Sequence, residues 1–142
     1  MRKLHDSLVP LSCVVLALAC LPAAADDNKD KPALSGTWVK KGGDLRIEFG
    51  DDHAMKILPH GDNVQIAIIC KYTPAKNGTV NAEITKIEGK AEVVDKVKQH
   101  APVGLKLSFK CVVKGDNATL DDLKGDNIDA LKSHLEGEYE KK

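Results

Sequence analysis

The sequence predicts an all-β domain: a small antiparallel meander barrel of seven or eight short strands, with one or two short helices. Three observations lead there. From Leu34 onward apolar and polar residues alternate in short runs, the period of a strand with one face on a core. The runs are separated by turns rich in glycine, aspartate and asparagine, at the spacing of consecutive hairpins. A chain of 142 residues, 42% of them hydrophobic, can bury one core and supports one domain.

The elements follow in order. Gly36 to Lys40 forms the first strand, ended by the hairpin signal Lys41-Gly42-Gly43-Asp44. Leu45, Ile47 and Phe49 then share one face, with Arg46 and Glu48 on the other, before Gly50-Asp51-Asp52. Met55 and Ile57 define the third strand, which stops at Pro59-His60-Gly61-Asp62-Asn63. In the fourth, Val64, Ile66, Ile68, Cys70 and Tyr72 face inward; Ala67 and Ile69 make the outer face partly apolar, so it is expected to be covered or to form a contact surface. The fifth carries Val80, Ala82 and Ile84 inward and slips phase at Ile87, as a bulge causes. Residues 89–103 lose the alternation. They read either as a short helix with Val93 or Val94, Val97 and Ala101 on one side, stopped by Pro102 and placed as a lid over a barrel mouth, or as a long loop. The sixth strand is the clearest, with Leu105, Leu107, Phe109, Cys111 and Val113 on its buried face. After Gly115-Asp116-Asn117 comes a short run at Ala118-Thr119-Leu120, then a turn at Lys124 to Asn127. A short helix or turn over 128–133 and a final strand near 134–140 complete the domain, with Leu135 and Tyr139 inward.

Ahead of the domain, Arg2 and Lys3, an apolar run from Leu8 to Leu21 and Ala23-Ala24-Ala25 read as a secretory signal peptide (1–25) cut after Ala25. An uncleaved anchor and a lipoprotein acylated at Cys20 are the alternatives. Residues 26–33 read as a disordered spacer and 34–142 as the barrel domain. The expected compartment is therefore secreted or periplasmic, with no transmembrane segment in the mature chain. The mature chain keeps Cys70 and Cys111, and an oxidising compartment favours one disulfide between them, two buried thiols being the alternative. In a plain meander the intervening strand holds them roughly 10 Å apart, so a bridge needs a flattened barrel or another strand order.

The Gly36-x-Trp38 frame at the onset of the alternating region, holding the single tryptophan, resembles the signature that opens lipocalins. With Gly137-x-Tyr139 at the other end, residues 34–142 look like small, uncharacterised lipocalin-like secreted bacterial proteins. The resemblance implies a barrel whose tryptophan plugs one end beneath the first strand.

Inward-facing side chains supply the candidate ligand-binding interior: Trp38, Ile47, Phe49, Met55, Ile66, Ile68, Tyr72, Leu107 and Phe109, together with Leu45, Ile57, Ile84 and Leu105. The favoured reading is a non-enzymatic barrel binding a small apolar ligand. The rival is an envelope protein–protein interaction module, a filled barrel presenting Ala67-Ile69 with Val112; a small hydrolase is the third reading. Lys plus Arg equals Asp plus Glu at 21 each, which argues against nucleic acid as a partner. No cofactor or metal site is expected: a His53–His60 pair at hairpin ends is the nearest approach to one, and the Gly-Asp-Asn triplets are turn chemistry before they are calcium loops. No nucleophile elbow, phosphate loop or zinc-protease motif occurs, and Glu83 with Glu88 is the one acid pair to consider.

Overall fold

The computed structural model describes residues 34–142 except 64 and 76. The expected leader, the spacer, Cys20 and the inward placement of Val64 lie outside the described residues. The chain forms eight antiparallel strands and two short helices: β1 (Gly36–Lys40), β2 (Arg46–Phe49), β3 (Ala54–Leu58), β4 (Ile66–Pro74), β5 (Thr79–Gly89), α1 (Ala91–His100), β6 (Lys106–Lys114), β7 (Asn117–Gly125), α2 (Asp129–Leu135) and β8 (Gly137–Lys141). Each strand pairs with the next, and β8 returns to β1 to close the barrel, as the alternation predicts.

Two bulges keep the apolar residues on the inside. Opposite β4, Cys70 pairs with Ile84 but Ile69 with Lys86, so Thr85 is the extra residue and the phase slip expected before Ile87 is real. The second bulge was not visible in the sequence. Ser108 pairs with Lys124 and Lys110 with Asp121, while Asp122 adopts φ 53°. That single left-handed residue lets Leu120 and Leu123, three apart, both turn inward and be buried. β7 therefore continues to Gly125 instead of stopping at Leu120. α2 also runs further than expected, to Leu135, because this residue is buried as part of the helix and β8 begins only at Gly137.

The seam between β8 and β1 is built from two copies of one local pattern, Leu34-x-Gly36-x-Trp38 and Leu135-x-Gly137-x-Tyr139. In each copy the aromatic side chain donates a hydrogen bond to the leucine carbonyl four residues back: Trp38 Nε1 to Leu34 O at 2.9 Å, and Tyr139 Oη to Leu135 O at 2.5 Å. Each intervening glycine has positive φ, 114° at Gly36 and 147° at Gly137. Each also lies under a lysine of the opposite strand, since a Cβ would meet Lys141 Cε at 3.0 Å and Lys40 Cε at 2.9 Å respectively. Trp38 pairs with Lys141 and Lys40 with Tyr139 across this seam.

Cys70 and Cys111 are free thiols, so the expected disulfide is not formed. The reason is stagger. Cys70 faces Ile84, whereas the Cys111 amide donates to Gly78 O, six residues further along β5, which separates the cysteines by roughly 20 Å along the strand direction as well as by one strand. Burial pushes the Cys70 thiol up to about 12, and burial, then Asp121, pushes Cys111 up to about 11. Burial also raises the Tyr139 phenol.

Two expectations follow from these groups. In thiol titration with an aromatic disulfide at mild alkalinity, Cys70 should react only after unfolding and Cys111 slowly; a non-reduced, denatured sample with no free thiol contradicts the assignment. All three groups keep their protons in the fold at pH values where the unfolded chain releases them. Their contribution to stability is therefore complete below the ordinary cysteine value of 9.0 and lost as pH rises toward about 11 and about 12. The melting temperature should fall across that interval, and less steeply in Cys70→Ala. At the seam, Gly137→Ala forces a β-carbon into positive φ against Lys40 and should destabilise by about 1–3 kcal/mol in denaturant unfolding.

Candidate functional site

An up-and-down barrel sends alternate connections to opposite ends. The β1–β2, β3–β4, β5–β6 and β7–β8 connections share one end, and the last two contain α1 and α2. The two ends differ in what fills them. At the other end, Trp38, Ile47, Phe49 and Tyr139 pack with Leu34, Cys111, Ala118 and Leu120 around a residual void of only about 10 Å³. Phe49 and Tyr72 meet edge to face with centroids 5.2 Å apart, an arrangement that adds about 0.5–1.5 kcal/mol beyond burial. The Tyr72 hydroxyl donates to Gly50 O, and its burial, then Asp51 and Asp52, raises its pKa.

Beneath the helices the interior side chains are aliphatic, and they leave a cavity of about 570 Å³. Leu45, Ile57, Ile68, Ile84 and Leu107 form its walls; Val97 and Ala101 of α1, and Leu131 and Leu135 of α2, cover it. α1 turns Val94, Val97 and Ala101 toward the barrel, as the lid reading predicts, and Ala101 is fully buried. Around the mouth stand Lys40, Lys41 and Lys96, the imidazoles of His60, His100 and His134, and Asp44. Lys40 is fixed in place: its ammonium donates to His134 O at 2.6 Å, a cation on the last turn of α2.

The structure divides the expected interior residues. Ile68 and Leu107 line the cavity, with Leu45, Ile57 and Ile84. Trp38, Ile47 and Phe49 instead belong to the filled end, and Met55, Tyr72 and Phe109 are buried in the core without reaching the cavity. Ile66 is buried but outside the main core cluster. Alternation specifies the face of a strand, not the height along the barrel, and the aromatics occupy the lower half. The rim histidines and lysines were missed as a group, although counting connections along a meander places His60, His100 and His134 at one end.

The same count separates His53 from His60, so that pair does not meet. His53 lies against Tyr72, with ring centroids 5.7 Å apart. Among the described residues no group of three or more His, Cys, Asp or Glu side chains could hold a metal ion. Glu83 and Glu88 do not share a cleft either: Glu83 faces outward between Lys71 and Lys106, and Glu88 pairs with Lys86 at 2.5 Å. The hydrogen bond from Lys86 lowers the Glu88 pKa, the reverse of what a general acid needs.

The surface expected for a partner is not continuous. Ala67 is buried and Ile69 half-buried on β4, whereas the exposed Val112 is on β6 with β5 between. Arg46, beside the outward-facing but buried Leu58, pairs at 2.7 Å with Asp62 and holds the β3–β4 connection to this side of the barrel. No helix among the described residues is long and apolar enough to cross a membrane.

Comparison with protein-family models, with curated proteins and with solved structures found no match. The class that fold and cavity define is an eight-stranded antiparallel β-barrel, filled at one end and hollow beneath two helices at the other.

Filling the mouth is the direct check on this geometry. Leu131→Trp should be tolerated with little loss of melting temperature, because Leu131 is half-buried at the cavity edge, whereas Phe109→Ala in the filled half should cost about 3–5 kcal/mol.

Proposed function

We propose that this protein is a secreted or periplasmic, non-enzymatic, lipocalin-like barrel that holds a small apolar ligand in the cavity beneath α1 and α2. The observation that carries the reading is the cavity itself. Its volume of about 570 Å³ falls in the range of small-molecule sites, and its walls are aliphatic. Close packing is the rule in protein interiors, and the same barrel achieves it at its other end, so the hollow is a local property of these side chains. Each methylene transferred from water to such walls contributes about 0.8 kcal/mol, enough for a short alkyl chain to offset the cost of its own immobilisation. The charged and apolar order of residues 1–25 supports export, and the Gly36-x-Trp38 and Gly137-x-Tyr139 frames support the lipocalin-like assignment.

The test is displacement of a neutral, environment-sensitive dye. N-phenyl-naphthylamine should brighten and shift to the blue on adding the purified protein, and dodecanol should displace it. Leu131→Trp should weaken dye binding about tenfold or more while the circular dichroism spectrum stays that of a β-barrel. Dye that stays dark with folded protein, or that binds the tryptophan variant equally well, contradicts the proposal.

A further inference from the structure

The cavity is polarised along its depth, and this narrows the chemistry of what fits. Its deep walls, Ile57, Ile68, Ile84 and Leu107, offer no charge; its rim gathers ammonium groups from separate elements, Lys40 at the end of β1, Lys41 in the following turn and Lys96 on α1. Asp44 is the one carboxylate among the lining residues.

These ammonium groups are available. Lys40 gives one N–H to His134 O at 2.6 Å and keeps two further donors. Lys41 stands 3.7 Å from Glu138, an exposed pair of the kind worth little and readily exchanged for another anion. Lys96 is exposed on the helix that covers the mouth. Beside them, His60, His100 and His134 add imidazole N–H donors.

We infer that the ligand is a single-chain amphiphile with an anionic head, its alkyl tail on the aliphatic walls and its head at the rim between Lys40, Lys41 and Lys96. The inference rests on the cavity reading above. A neutral head forgoes the cations, and a cationic one is repelled by them, while the tail gains the same burial in every case. The head also touches both sides of the mouth, the α1 lid through Lys96 and the β1–β2 side through Lys40 and Lys41, so binding draws the lid to the rim.

Dye displacement from the purified protein at low ionic strength distinguishes the possibilities, with probes that share one tail length. Dodecanoate or dodecyl phosphate should bind about tenfold tighter than dodecanol, and dodecyltrimethylammonium weakest. Which of the two anions wins tells a carboxylate from a phosphate head. High salt should erode the preference. The exposed-site double variant Lys41→Gln/Lys96→Gln should bring the best anion to within about twofold of dodecanol and leave dodecanol affinity unchanged. If dodecanol binds as tightly as both anions, or the ammonium probe as tightly as either, the inference falls and the apolar-cavity reading stands; if no probe displaces the dye, both fall.

Discussion

Closure of β8 onto β1 is the constraint on which the remaining structure depends. A sheet of eight strands with free edges would expose unpaired amides and carbonyls along both. Here the edges meet, and the meeting is specified chemically by the repeated Leu-x-Gly-x-aromatic pattern. The glycines give space to Lys141 and Lys40, and the aromatic rings turn inward while their polar atoms are satisfied by backbone carbonyls. Trp38 and Tyr139 are thereby buried almost completely without an orphaned donor.

The seam also connects the fold to the site. The lysine lying over Gly137 is Lys40, whose ammonium reaches the last turn of α2 and stands on the rim of the cavity. The stem that packs at the barrel's closure therefore positions the charge at its mouth. Stability and recognition share one residue, and a change at Gly137 is felt at a site it does not line.

Asymmetric filling explains why a barrel this small has a hollow at all. Trp38, Phe49, Tyr72, Phe109 and Tyr139 all belong to the closely packed core away from the mouth. The upper half has only branched aliphatics from the strands, and these do not reach across; two short helices cover the gap instead of filling it. The bulges at Thr85 and Asp122 maintain inward phase around this half, placing Ile84 and Leu123 in the core.

Much of the fold was legible in the sequence. Period-two alternation fixed eight runs and their inner faces, Pro102 marked the end of α1, and the phase slip before Ile87 announced a bulge, because each is a local property of the backbone. The bulge at Asp122 was hidden because two consecutive aspartates look like a turn until a partner strand shows them paired. What the sequence by itself determined is which side chains point in and which point out. Only the tertiary structure decided the height of each along the barrel, hence that Cys70 and Cys111 stand far apart, that the aromatics gather at one end, and that three histidines and three lysines ring the other. The physical reason is that facing is set by dihedral alternation within a strand, whereas height is set by stagger between strands, which exists only once the barrel has closed.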